Sequence, residues 1–170
     1  MQETVILVDE QDREVGIMEK MEAHRQGLRH RAFSIFVFND KHELLIHKRA
    51  ATKYHSEDLW TNTCCSHPRP GEDLMSAATR RLMEEMGFTC PLKEIFVFQY
   101  TVALDKEMTE NEIDHVFIGE YNRDPVPNPD EVSDYQWIRL DQLADQVRKK
   151  PEEYTYWFAI ALKRVIRYFS

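Results

Sequence analysis

The stretch from Asp73 to Gly87 limits what this chain can fold into more than any other. Asp73 can accept a hydrogen bond from the first turn of a helix, and Leu74, Ala77, Ala78, Arg81, Leu82 and Glu85 then recur at helical spacing. Gly87 stands where a helix ends in a left-handed residue. A helix over 73–86 with one apolar face needs a surface to pack against, and the flanking sequence reads as strands. These lie at 4–9, near Val15, at 32–38, 43–48, 95–103, 115–121 and 135–138. Asn39-Asp40 joins the third and fourth of them in a hairpin pattern. Further helices are expected over 19–25, 141–149 and 152–168, the last opened by Pro151. Strands interspersed with helices indicate an α+β or α/β sandwich. With no repeat, low-complexity tract or linker in 170 residues, one continuous domain over 1–170 is expected.

Composition narrows the function classes. Acidic residues number 30 against 22 basic ones, a net charge of −8. A chain with no basic field is not a general nucleic-acid binder, so an anionic ligand must be caught by a few local Lys or Arg residues or by a metal. Its apolar runs are too short to span a bilayer, and 1–8 lacks the basic start and apolar core of a signal peptide. No membrane association and a cytoplasmic location are the expectation. The cysteines, Cys64, Cys65 and Cys90, form no disulfide framework and no Cys-x-x-Cys pair. Reduced thiols follow, one of them open to a reactive role.

Two constellations carry chemistry. On the 73–86 helix, Glu84 follows Arg80 and Glu85 follows Arg81 by four residues, so each acid can pair with a base along an exposed face. The second comprises His24, His30, His67, Glu110 and Glu112. On an extended strand Glu110 and Glu112 project to one face, which Asp114 would share, and like charges there repel unless solvated or bridged by a cation. Three imidazoles with two carboxylates suit Mn²⁺, Zn²⁺ or Mg²⁺, whereas a solvent-facing edge is the plainer reading of the same pattern.

From Ser66 to Phe88 the chain resembles the Nudix signature, matched at Glu72, Arg80, Leu82, Glu84, Glu85, Gly87 and Phe88. It departs from it at Ser66, in place of Gly, and at Arg81, in place of a Glu used in hydrolysis. Together with Glu19-Lys20, His24, His30-Arg31-Ala32-Phe33, Lys48-Arg49-Ala50, the 61–68 loop, Thr109-Glu110-Asn111-Glu112, Asp134-Tyr135-Gln136-Trp137 and Trp157, nearly the whole chain resembles the type 1 isopentenyl-diphosphate isomerases. That resemblance implies an α+β Nudix fold, a mixed sheet sandwiched by helices, and an enzyme that shifts a double bond in a small prenyl diphosphate. It implies Cys65 and Glu112 as the proton-transfer groups. It assigns Lys20, Arg49, Lys53, Ser66 and Arg81 to the diphosphate, and Tyr100 and Trp157 to the reacting carbons. The second constellation would hold one divalent ion, and Glu85 would hold Mg²⁺ together with the diphosphate. A Nudix hydrolase is the alternative within the fold, opposed by Arg81. A binding module with a structural metal is the alternative outside catalysis.

Overall fold

The computed structural model describes residues 3–170. Its hub is β3 (His30–Phe38), whose long apolar run fits a strand covered on both faces. One edge of β3 pairs in parallel with β8 (Thr109–Glu120), from His30 opposite Glu112 to Phe38 opposite Glu120. The other edge is shared by three antiparallel partners in succession. These are β1 (Thr4–Val8) at Leu7–His30, β6 (Cys64–Ser66) from Phe33–Ser66 to Ile35–Cys64, and β4 (Glu43–Arg49) at Phe38–Leu44. β2 (Glu14–Glu19) extends β1, and β7 (Leu92–Ala103) covers the far side of β8. β5 (Trp60–Thr61) and β9 (Val132–Arg139) flank β4.

Because strand side chains alternate, the two faces of this sheet carry separate cores. Phe33, Ile35, Val37, Phe117 and Cys64 pack against Ala77, Ala78, Leu82 and Met86 of α2 (Leu74–Met86). Phe36, Val116, Phe98 and Tyr100 pack against Trp157, Phe158, Ala161, Leu162 and Val165 of α4 (Tyr156–Tyr168). The mixed sheet therefore lies between helices, as expected of the α+β class. α1 (Lys20–Gln26) closes one end beside β8, and α3 (Leu140–Lys149) follows β9. α2 begins and ends where its sequence says. Asp73 accepts from the Ser76 amide at 3.1 Å, and Gly87 closes the helix at φ +75°. A Cβ there would lie 2.4 Å from the Val126 carbonyl, so the position needs glycine for space as well as for φ.

Three local expectations change. Asn39 does turn the chain, accepting from the amides of Lys41 and Glu43, but β3 and β4 share only one pair, beyond which β6 takes the edge of β3 and β5 that of β4, while β9 pairs along the other edge of β4. β8 starts at Thr109, so Glu110 and Glu112 belong to the long strand rather than to a segment before it. The helix expected over 152–168 is interrupted: a 3₁₀ turn at Pro151–Glu153 gives way to extended Tyr154 and Thr155 before α4. Tertiary contacts overrule propensity there, because Tyr154 bridges to Trp60, the Thr155 amide donates to Trp60 O at 2.9 Å, and its hydroxyl donates to Thr61 Oγ1.

The interior of β4 also holds a titratable group. His47 is buried, its Nδ1 donates to Thr63 O at 3.0 Å, and burial pulls its pKa down to about 4 from 6.5. An unfolded chain therefore takes up a proton near pH 6.5 that the folded chain refuses until about pH 4. The contribution is present in full above pH 6.5 and is lost as pH falls towards 4, in total about 3 kcal/mol. Urea titrations at pH 7 and pH 4.5 should show wild type losing about 2–3 kcal/mol more than His47→Gln. Equal losses would remove this account.

Candidate active site

The register brings the chemically active side chains onto one face. Glu112 and Asp114 of β8 lie opposite His30 and Ala32 of β3, and Cys65 of β6 lies opposite Ser34. With a period of two, Glu110, Glu112, Asp114, His30, Ser34 and Cys65 project together, whereas Cys64 points the other way, into α2. His24 arrives from α1. Its Nδ1 donates to Lys20 O at 2.7 Å, which leaves Nε2 3.1 Å from Glu110 Oε1. His30 Nδ1 donates to Leu28 O at 2.9 Å, which leaves Nε2 3.2 Å from Glu112 Oε2. His67 Nε2 lies 2.8 Å from the same oxygen. His55, on the loop between β4 and β5, sets its Nε2 against Glu110 Oε1.

These donors fit a divalent metal. The ligand atoms of His24, His30 and His67 lie within 4.8 Å of one another, as do those of His24, His55 and Glu110 and those of His30, Glu110 and Glu112. Backbone carbonyls fix the Nδ1–H tautomer of His24 and His30, so in the neutral ring the Nε2 lone pair faces a carboxylate oxygen. Two lone pairs in apposition repel unless a proton or a cation lies between them. His30 Nε2, His55 Nε2 and Glu110 Oε2 are buried without a hydrogen-bond partner. Nitrogen and oxygen donors of this kind, oriented by second hydrogen bonds, suit a transition-series or magnesium ion. Burial works to raise both carboxylates, yet the histidines win: Glu110 is held below its ordinary range and Glu112 well below it by His30 and His67.

Beside the cluster, Cys65, Ser66, His67, Glu110, Glu112, Arg49 and Trp157 line one cavity together with Asp114, and Tyr54 and His55 are added to those the sequence suggests. Burial pushes the Cys65 thiol up to about 12, against the pull of Arg49. Tyr100 does not line this cavity, but its hydroxyl donates to Glu112 Oε1 from below. Burial and the Glu112 charge raise Asp114 well above its ordinary range, and it accepts from Ser34 Oγ at 2.8 Å. At neutral pH the wall therefore carries a protonated thiol and an ionised Glu112.

The cations gather around Tyr54. Lys20 Nζ lies 4.3 Å, Lys53 Nζ 5.6 Å and the Arg49 guanidinium carbon 6.0 Å from its ring centre. Arg49 also lies 5.4 Å from the Trp157 ring. Lys20, Lys53 and Arg81 stand outside the cavity lining, where Lys20 pairs with Glu3 and Lys53 with Glu131. Arg81 meets Glu84, Glu85 and Glu131. Glu85 is 3% exposed, accepts from Cys64 Sγ at 3.0 Å, and belongs to none of the three convergent donor groups. Burial raises its pKa, partly offset by Arg81. With one protein carboxylate and an arginine alongside, Glu85 can hold a magnesium ion only if a ligand supplies further oxygens. Tyr54 and His55 carry no signal of their own in the sequence: no periodicity marks them, and only Lys53, two residues before His55, points to this loop as facing the site.

The NUDIX domain model matches residues 28–158. Isopentenyl-diphosphate Delta-isomerase 1 of Aromatoleum aromaticum is 52% identical over 98% of this chain and 94% of its own length. Isopentenyl-diphosphate Delta-isomerase 2 of Photorhabdus laumondii is 53% identical over 93% of this chain and 89% of its own. The crystal structure of DR0079 from Deinococcus radiodurans superposes with a TM-score of 0.80 at 19% identity, covering 95% of this chain and 98% of that one, a likeness of fold. With the family model matched over most of the chain and near-full-length relatives of one name, the chain belongs to the Nudix family and, within it, to the isopentenyl-diphosphate Delta-isomerases.

Proposed function

We propose that this protein interconverts isopentenyl and dimethylallyl diphosphate, with Cys65 and Glu112 as the proton-transfer groups. The observation that carries the reading is that both side chains line one cavity, the first protonated and the second ionised at neutral pH. A proton delivered to the terminal alkene carbon leaves a tertiary cation, and loss of a proton from the carbon on the other side creates the internal double bond. One donor and one acceptor flanking the alkene are what that sequence of transfers needs. Tyr100 steadies Glu112 through its hydroxyl, and the buried walls keep water from the cation. Trp157 offers a π face to positive charge, worth about 1–2 kcal/mol once desolvated.

Lys20, Arg49, Lys53, Ser66 and Arg81 bind the diphosphate, exchanging the carboxylate partners Glu3 and Glu131 for phosphate oxygens. Mg²⁺ at Glu85 would add charge to that binding. A second ion, Mn²⁺, Zn²⁺ or Mg²⁺, in the His24, His30, His67, Glu110 and Glu112 site would supply a fixed positive charge that orients both carboxylates. Arg81 supports isomerisation over hydrolysis, because it pairs with Glu85 where the Nudix signature would place a further carboxylate. A single domain over 1–170 working in the cytoplasm completes the reading; no helix among the described residues is long and apolar enough to cross a membrane. Isopentenyl diphosphate incubated with the protein in D₂O should yield dimethylallyl diphosphate carrying deuterium in the new methyl group. Phosphate release without a double-bond shift would instead assign a hydrolase.

A further inference from the structure

His55 is 3% exposed, and its ring is fixed on several sides. Nδ1 contacts Ser56 Oγ at 3.1 Å, the Tyr54 ring stands 4.2 Å away, and the Trp157 ring meets it edge-on at 5.8 Å. The loop that carries it is drawn in at the neck by Arg49. The Arg49 amide donates to Leu59 O, its carbonyl accepts from the Asp58 amide, and its guanidinium donates to His55 O at 3.0 Å. Ser56 and Asp58 hold φ of +52° and +62°, left-handed conformations that L-residues adopt at a cost. A loop held this closely delivers one imidazole to one place.

The remaining nitrogen decides what the ring is for. A packed histidine would have both nitrogens satisfied or facing apolar atoms. A histidine placed to steady Glu110 would donate to it in good geometry. His55 Nε2 does neither: it is buried, lies against Glu110 Oε1, and makes no hydrogen bond. It falls within the 4.8 Å spread that also holds the ligand atoms of His24 and Glu110. We propose that His55 is a ligand of the divalent ion held by the histidine–glutamate cluster, completing a set of four imidazoles and two carboxylates. Six donors are the number an octahedral ion takes, one more than His24, His30, His67, Glu110 and Glu112 provide; they fall in three overlapping groups of three, and His55 shares its group with His24 and Glu110. The proposal rests on the metal-binding part of the functional reading and not on the double-bond shift.

The test is metal binding by the full chain stripped of metal, titrated with Mn²⁺ and with Zn²⁺ by calorimetry, and separately loaded with Co²⁺ for its visible absorption. Wild type, His55→Ala, His55→Gln and His30→Ala are compared, with circular dichroism confirming that each is folded. His55→Ala should bind at least tenfold more weakly. Its Co²⁺ bands should gain intensity as a six-coordinate, nearly centrosymmetric ion becomes five-coordinate. His55→Gln keeps the loop filled and carries the test if the alanine variant does not fold; it too should bind more weakly. Affinity and Co²⁺ spectrum unchanged in both His55 variants, while His30→Ala loses the metal, would overturn the role of His55 and leave the cluster standing. A wild-type chain that takes up no divalent ion would overturn both.

Discussion

Cys65→Ala is expected to lower kcat for double-bond migration by about 10²–10⁴-fold, the range for removing one proton-transfer group, with little change in KM or fold. Cys65 sits in a short strand whose backbone pairs with Ser34, and among the described residues its thiol is not bound by another side chain. Removing Sγ therefore strips the cavity of its thiol proton at the cost of some packing against the core but of no side-chain hydrogen bond. Cys64, one residue earlier, supplies the control. Its thiol faces α2 and donates to buried Glu85 at 3.0 Å, so Cys64→Ala should cost about 1–2 kcal/mol of stability and leave turnover within tenfold of wild type. Two neighbouring thiols thus separate catalysis from packing. Full turnover by Cys65→Ala, measured by product identification at saturating substrate, would remove the thiol from the mechanism.

How much of this was legible in the sequence depends on whether the information is local. The bounds of α2 follow from Asp73 and Gly87 alone, because capping is decided within one turn. The common face of Glu110 and Glu112 follows from strand alternation, and the pairing of Arg81 with Glu85 from helical spacing. What a distant partner decides is not legible. The break at Tyr154–Thr155 exists because Trp60 and Thr61 offer hydrogen bonds from another strand. β4 parts from its hairpin partner because the segment that follows it inserts between them, β5 pairing with β4 at His47 and Lys48 and β6 with β3 from Phe33 to Ile35. His55 and Tyr54 lie in an aperiodic loop, and their meeting with Glu110 and Lys20 depends on how that loop closes over the sheet. Asp114 reads as one more acid on a polar strand face, whereas the fold buries it at 1% exposure, and burial raises its pKa well above the ordinary carboxylate range.

Glu112→Gln should have the larger effect, because the proposed mechanism places this carboxylate in both the metal site and the proton-transfer pair. Oε2 faces His30 and His67, and Oε1 accepts from Tyr100. Glutamine keeps the shape and so the fold, but loses the charge and replaces one acceptor with an NH₂ that meets either a hydroxyl or an imidazole nitrogen wrongly. Metal affinity should fall at least tenfold and kcat by about 10³–10⁴-fold or more. Glu110→Gln tells the two losses apart. Glu110 contacts His24 and His55 but takes no part in proton transfer, so its variant should regain much of its rate when the divalent ion is raised to saturation. Glu112→Gln should not, since saturating metal restores the charge nearby and not the missing base. Cys65→Ala completes the comparison by keeping wild-type metal affinity while losing turnover. If added metal rescued Glu112→Gln as fully as Glu110→Gln, the carboxylate would be a ligand alone, and the proton would have to pass through another group, with Asp114 on the same wall and Tyr100, paired with Glu112 on the neighbouring strand, the nearest.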